Sequence, residues 1–125
     1  MQVRELHPRS VVTVESTDVI RIAVEELVRE EVGAVAVFGA HGIAGILSER
    51  DIVRAVADRV DIDETTVDEY MTQTAVTIKP DEGVHEAMAI MSEFGCRHLL
   101  VEEEGGICGM ISVRDIVAIL GQEPD

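Results

Sequence analysis

The stretch GILSERDIV at residues 45–53 occurs a second time as GMISVRDIV at residues 109–117, 64 residues further along the chain. An internal repeat of this kind sets the architecture of a fold. The sequence therefore predicts two copies of one supersecondary unit, related by a pseudo-twofold axis, with two equivalent clefts where the copies meet. The same offset, without a gap, aligns further pairs: Val12 with Val76, Ala23 with Ala87, Val37 with Val101 and Gly42 with Gly106.

The size of the chain suits one compact body built from both copies. Its 125 residues fall within the range of about 100–150 residues that is usual for a single domain. A copy of 64 residues would have a marginal core by itself, so the copies are expected to share apolar surface. Because 46% of the residues are hydrophobic and only 2% aromatic, this core must consist of aliphatic side chains.

The sequence also bears on where the protein works. No apolar run approaches the roughly 20 residues that a membrane-spanning helix needs. The N-terminal residues lack the apolar stretch of a signal peptide. Two cysteines, Cys96 and Cys108, do not form a disulfide framework in a chain of this size. We therefore expect a reduced, cytoplasmic protein that has no membrane partner.

The charge of the chain is strongly acidic. There are 25 Asp and Glu residues against 10 Lys and Arg residues, which gives a net charge of −15. Such a charge repels polyanions, so nucleic acid is not expected as a partner. The acidic surface has two interpretations, ordinary solubility or the surface of a halophilic protein, and the sequence leaves both open.

Each copy shows the same order of predicted elements: strand, helix, strand, strand, helix. In the first copy we predict strands at 11–14, 34–38 and 43–47, one helix capped by Ser16, Thr17 or Asp18, and a second helix from Ser48. In the second copy we predict strands at 76–78, 97–101 and 107–111, with helices from Pro80 and from Ser112. The tail after Gly121 is expected to fray. The fold class is α+β.

This order, with a Gly-hydrophobic-hydrophobic-Ser-x-x-Asp motif where the last strand meets the last helix, resembles the cystathionine-β-synthase-type (CBS) domain. Two such domains in tandem resemble the Bateman module, and the segment VDEYMT at 67–72 is similar to the family's lead-in to a repeat. The resemblance covers nearly the whole chain. It implies a first repeat at residues 1–62 and a second at residues 63–125.

The Ser-x-x-Asp motif has two compatible interpretations. In the structural one, Ser48 and Asp51, or Ser112 and Asp115, form a capping box at the start of a helix. In the functional one, the helix N-terminus suits an anion, and the carboxylate accepts hydrogen bonds from both hydroxyls of a ribose. The resemblance implies the functional use, because CBS pairs that bind adenine nucleotides hold the ribose with this aspartate.

Carried over to this chain, the resemblance implies two nucleotide clefts, each built from both repeats. One cleft holds the sugar with Met110, Ser112, Arg114 and Asp115, and its base lies against Val12, Gly33 and Ala34. The other uses Ile46, Ser48, Arg50 and Asp51, with Val76, Arg97 and His98 opposite. Because Gly33 and Ala34 occupy the positions of Arg97 and His98, we expect the two clefts to differ in affinity, or one ligand to dominate.

The basic residues have alternatives. Arg97 and His98 suit phosphate ligands in an acidic protein, but Arg97 could instead pair with a carboxylate and His98 could be a structural histidine. Arg50 and Arg114 lie in a first helical turn, where the helix dipole disfavours cations, so they are expected to face an anion or an acidic neighbour.

The chain departs from the family pattern in ways that leave the ligand open. Ala36 and Leu100 replace the usual proline of the first hairpin strand, and no aromatic residue occupies a base-stacking position. AMP, ADP or ATP is favoured, while an S-adenosylmethionine-like sulfonium, a dinucleotide or a guanine nucleotide stays open. No cofactor is expected. The four histidines and two cysteines lack metal-ligand spacing, so no metal is expected either.

The predicted function is a regulatory, ligand-sensing module without catalysis. Ser48 and Ser112 have no histidine at a spacing that suggests a nucleophile and its base, and an enzyme rarely needs two copies of one nucleophile. The nucleotide would bias a separate partner protein, and a homodimer is expected, with Ile52, Val56, Ile116 and Leu120 as candidate contact residues. The alternative is a ligand-free dimerisation scaffold in which Ser-x-x-Asp only caps helices.

Overall fold

The computed structural model describes residues 1–8, 10–73 and 76–121, which belong to two compact units. We call residues 12–75 the central unit, and residues 1–11 together with 76–125 the terminal unit. The predicted frayed tail at 122–125 lies outside the described residues. No helix in the described ranges is long and apolar enough to span a bilayer.

The central unit contains a four-stranded sheet with two helices. Its strands run in the order β1-β2-β3-β4, with β1 parallel to β2 and the other neighbours antiparallel. The strand β4 was not predicted. The elements in chain order are β1 (Thr13–Glu15), α1 (Ile20–Glu30), β2 (Ala34–Gly39), β3 (Gly42–Ser48), α2 (Glu49–Ala57), a 3₁₀ helix (Val67–Glu69) and β4 (Thr72–Gln73).

The terminal unit repeats this plan with a three-stranded sheet among its described residues, in the order β5-β6-β7. Here β5 is parallel to β6, and β6 is antiparallel to β7. The predicted order of elements and the α+β class are confirmed. The elements are a 3₁₀ helix (Val3–Leu6), β5 (Thr77–Ile78), α3 (Val84–Phe94), β6 (His98–Glu103), β7 (Gly106–Ser112) and α4 (Val113–Leu120).

Each compact unit includes the segment that precedes the other copy of the repeat. In the central unit, the N–H of Val67 donates to the carbonyl of Asp18 at 2.7 Å. In the terminal unit, the N–H of Val3 donates to the carbonyl of Glu82 at 2.8 Å. The sequence repeat and the compact units thus divide the chain at different residues.

Aliphatic side chains form the core of each unit, as the low aromatic content predicts. In both units the first strand of the hairpin is buried at consecutive residues, 34–37 in β2 and 99–101 in β6, which is typical of a strand covered on both faces. The central core includes Val14, Ala23, Val35, Val37, Leu47 and Val67. The terminal core includes Val3, Ile78, Ala87, Leu99, Val101, Ile111 and Ile116.

The predicted starts of the first helix in each copy are wrong. Helix α1 is preceded by Val19, which makes no side-chain cap, and the carboxylate of Asp18 accepts from the N–H of Glu15 at 2.9 Å. Helix α3 begins at Val84 rather than at Pro80. The reason is that backbone carbonyls replace caps: Ile20 N–H donates to Thr65 at 2.9 Å, and Val84 N–H donates to Met1 at 2.9 Å.

The residues considered for a dimer contact differ in exposure. Ile116 is 2% exposed and belongs to the terminal core. Ile52 and Leu120 pack against the cores of their units at the margin. Val56 is exposed, and so are Val53 on α2 and Val117 on α4, which occupy equivalent positions of the repeat.

Candidate functional site

The Ser-x-x-Asp motif of the first copy forms the capping box predicted for it. Ser48 is the N-cap of α2, and its Oγ accepts from the N–H of Asp51 at 3.4 Å. The Oδ2 of Asp51 accepts from the N–H of Ser48 at 2.8 Å and from its Oγ at 3.1 Å. These bonds satisfy donors that a helix start would otherwise leave without partners.

The second copy forms the same box at the start of α4. The Oγ of Ser112 accepts from the N–H of Asp115 at 3.1 Å, and the Oδ2 of Asp115 accepts from the N–H of Ser112 at 2.9 Å. Within the described part of the chain, Oδ1 of Asp115 has no hydrogen-bond partner. A carboxylate can accept about four hydrogen bonds, so this oxygen keeps its capacity for a ligand.

The sheet of the central unit brings its predicted site residues together. Ala34, the first residue of β2, lies opposite Ser48, the last residue of β3. The carbonyl of Gly33 accepts from the N–H of Glu49 at 3.0 Å, and that of Val12 accepts from Ala36 at 2.8 Å. The central set is thus Val12, Gly33, Ala34, Ile46, Ser48, Arg50 and Asp51, with Ile46 paired to Ala36 on the adjacent strand.

The terminal unit repeats this arrangement with a more cationic set. His98, the first residue of β6, lies opposite Ser112, the last residue of β7. The carbonyl of Arg97 accepts from the N–H of Val113 at 2.9 Å. The terminal set is Val76, Arg97, His98, Met110, Ser112, Arg114 and Asp115, with Met110 paired to Leu100. The predicted grouping of each sugar-binding set with residues of the other copy stays a prediction.

Two backbone donors in the first turn of each motif helix already have acceptors. In α2 these are the N–H groups of Glu49 and Asp51, and in α4 those of Val113 and Asp115. The sequence predicts that these helix starts suit an anion, which requires N–H groups that have no other acceptor. The structure leaves fewer of them, so a phosphate would depend more on cationic side chains.

Three of the predicted cationic residues are exposed. Arg50, Arg97 and Arg114 form no ion pair within the described ranges. The alternative in which Arg97 pairs with a nearby carboxylate is therefore not seen among those residues. In a chain with a net charge of −15, exposed arginines without a carboxylate partner are available to an anionic ligand.

The two motif aspartates differ in a contact that the sequence interpretation missed. Nη2 of Arg54 donates to Oδ1 of Asp51 at 2.7 Å and to the carbonyl of Tyr70 at 3.1 Å. Asp51 is 3% exposed, whereas Asp115 is half-buried. The residue equivalent to Arg54 in the second copy is Ala118. The signal was present in the sequence, because an arginine three residues after Asp51 lies on the same face of the helix.

Comparison with known proteins gives one family. The model of the CBS domain matches residues 3–58 and again residues 67–122. An uncharacterized protein of Methanocaldococcus jannaschii is 29% identical over 122 residues, which cover 97% of this chain. The chain spans 43% of the length of that relative.

Solved structures share the fold over nearly the full length. A CBS domain protein from Pyrobaculum aerophilum, complexed with AMP, is 30% identical with a TM-score of 0.85, and the match covers 98% of this chain and 97% of that one. A CBS-domain containing protein from Agrobacterium tumefaciens is 35% identical with a TM-score of 0.84, covering 94% of this chain and 91% of that one.

Proposed function

Because the chain belongs to the CBS domain family, we propose that it is a regulatory module that binds an adenine nucleotide, with AMP as the first candidate. The observation that carries this proposal is the pairing of a satisfied capping box with a spare carboxylate oxygen at Asp115. The AMP complex of the Pyrobaculum aerophilum protein, which is 30% identical to this chain, supports AMP as that candidate.

In the proposed site, Asp115 holds the ribose. Its Oδ2 stays bonded to the N–H of Ser112, while its Oδ1 accepts from one or both sugar hydroxyls. Such bonds to a charged acceptor are stronger than neutral ones, and each contributes roughly 1.5–3 kcal/mol. The cap fixes the carboxylate before the ligand arrives, so little side-chain entropy is lost on binding.

We assign the phosphate charge to Arg114 and also to Arg97, which the sequence analysis groups with Asp51, because Arg97 lies beside the start of α4 in the same unit. Arg97 precedes the strand β6, and its carbonyl is bonded to Val113 at the start of α4. Arg114 is one residue before Asp115, in the first turn of that helix. A cation there is disfavoured by the helix dipole unless an anion is close, which a nucleotide phosphate would provide.

The module would act on a partner without chemistry of its own. The nucleotide shifts the partner only through different affinities for two arrangements of the module. The alternative function, a scaffold without ligand, is favoured by the fact that both Ser-x-x-Asp motifs already serve as helix caps. The two functions predict opposite results when nucleotide is added.

We include a homodimer in this proposal. Val53 and Val56 on α2, and Val117 on α4, each expose more than half of their surface. Exposed valines at equivalent positions of both copies suit a self-complementary contact. Sedimentation of the wild type against Val53→Glu and Val117→Glu tests it, since a charge in the interface should give monomers.

Calorimetric titration tests the nucleotide-binding proposal. AMP, ATP, NAD and S-adenosylmethionine are titrated into the wild type and into Asp115→Ala. Binding of an adenine nucleotide that the substitution abolishes supports the sensor. If no ligand binds to a folded protein, the scaffold function replaces it, and Ser-x-x-Asp is only a cap.

A further inference from the structure

Both oxygens of the Asp51 carboxylate accept hydrogen bonds from the protein, three in all. Oδ2 accepts from the N–H and the Oγ of Ser48, and Oδ1 accepts from Nη2 of Arg54. The side chain of Asp51 is 5% exposed, while that of Arg54 is 58% exposed. The ion pair therefore joins a buried carboxylate to a guanidinium that reaches the solvent.

A second contact holds this arginine in place. The same Nη2 of Arg54 donates to the carbonyl of Tyr70, and the Tyr70 hydroxyl donates to Oδ2 of Asp58 at 2.7 Å. Asp51, Arg54 and Asp58 all belong to α2 or its C-cap, so Tyr70 is fixed to that helix at two points. We call Asp51, Arg54 and Tyr70 the arginine latch.

The second copy has no such latch. Position 118 is an exposed alanine, and the counterpart of Tyr70 is Leu6, at the end of a 3₁₀ helix that contacts α4. Within the described ranges no arginine pairs with Asp115, and its Oδ1 has no partner. The repeat thus supplies an internal comparison in which the capping box is kept and the latch is absent.

We propose that the ion pair with Arg54 prevents the Asp51 carboxylate from binding a ribose. Each chain therefore binds one nucleotide, at Asp115. This inference rests on the proposed nucleotide function. A sugar at Asp51 would have to displace an ion pair from a buried oxygen, whereas a sugar at Asp115 displaces no protein partner. A buried carboxylate that loses its cation is unfavourable, so the latch opposes ligand entry.

Equilibrium dialysis with AMP, reading the number of bound nucleotides per chain, tests the proposal through two reciprocal substitutions. The wild type should bind one AMP, and Arg54→Ala, which copies Ala118, should bind two. Conversely, Ala118→Arg should place a guanidinium beside Asp115 and weaken AMP binding by about tenfold, the equivalent of one charge-assisted hydrogen bond. Ala118→Met, which adds a long side chain without charge or hydrogen-bond donor, should bind as the wild type does.

The outcomes separate the latch from the nucleotide function. Two equivalent AMP sites in the wild type would overturn the latch while leaving nucleotide binding intact. An unchanged affinity in Ala118→Arg would overturn it as well, even if Arg54→Ala fails to fold, because Ala118 is exposed and its substitution leaves the core untouched. A folded wild type that binds no adenine nucleotide would overturn the proposed function and the latch together.

Discussion

Gly45 lies against the backbone of Thr72 so closely that a side chain would not fit between them. A Cβ on Gly45 would be 3.1 Å from the carbonyl carbon of Thr72 and would overlap its oxygen. The two residues belong to the paired strands β3 and β4, where Gly45 is opposite Gln73. This glycine therefore lets the segment ahead of the second copy join the sheet of the central unit.

The first prediction concerns that contact. Gly45→Ala should lower the free energy of unfolding by about 1–3 kcal/mol, because the backbone of β4 must shift to relieve the overlap. Gly39→Ala is the matched control, since its Cβ would meet Ala44 at an ordinary 3.4 Å. Chemical denaturation measures both, and equal losses would contradict the role given to the Thr72 backbone.

The second prediction concerns the helix caps. Ser48→Ala and Ser112→Ala each remove a side-chain acceptor from a first-turn N–H, so each should lower stability by about 1 kcal/mol. Only Ser112→Ala should also weaken AMP binding, because it loosens the carboxylate that holds the ribose. Thermal unfolding measures the stability of each variant and dialysis its affinity for AMP. Equal weakening of AMP binding by the two substitutions would argue against a single site.

The third prediction concerns the two thiols. Burial raises the pKa of Cys96, so its reactive thiolate is scarcer at a given pH, whereas Cys108 is exposed. An aromatic disulfide reagent at about pH 8 should therefore modify Cys108 first in the folded protein. The variants Cys96→Ser and Cys108→Ser assign the two phases. Unfolding should make the rates similar, and a faster Cys96 in the folded protein would contradict its burial.

The fourth prediction concerns pH. The hydrogen bond from the Tyr70 hydroxyl to Asp58 raises the pKa of Tyr70 above its ordinary value of 10.0. A raised pKa in the folded state means that this contribution to stability is complete below pH 10 and is lost as the pH rises through the folded value. Tyr70→Phe should lack this loss. The test is to measure the free energy of unfolding of the wild type and of Tyr70→Phe below and above the pKa of Tyr70. If stability depends on pH in the same way in both proteins, the hydrogen bond to Asp58 is contradicted.

The sequence predicts the order of elements well because both of its signals are local. The relevant signals are the short apolar runs at 34–38 and 107–111 and the serine directly before α2 and α4, and each acts within a few residues. The predicted starts of α1 and α3 are wrong because the first N–H groups of these helices donate to carbonyls of Thr65 and Met1, which are distant along the chain. Such contacts leave no pattern in the neighbouring residues.

The sequence predicts which residues belong to the two candidate sites, but it predicts the difference between those sites less completely. The repeat identifies both Ser-x-x-Asp motifs, and the two differences between positions 33–34 and positions 97–98 predict unequal sites. The difference at Arg54 and Ala118 was also visible in the sequence. The consequence of that difference cannot be predicted from the sequence. It depends on the burial of Asp51 and on the Tyr70 carbonyl, which only the folded chain brings together.

A magnetic resonance titration with AMP tests the central claim most directly, because backbone amide signals report the location of the ligand. The account predicts that AMP shifts the amides of 112–115 strongly and those of 48–51 far less, and that Asp115→Ala removes the shifts. Equal shifts at both motifs, or none at either one in a folded protein, would contradict it.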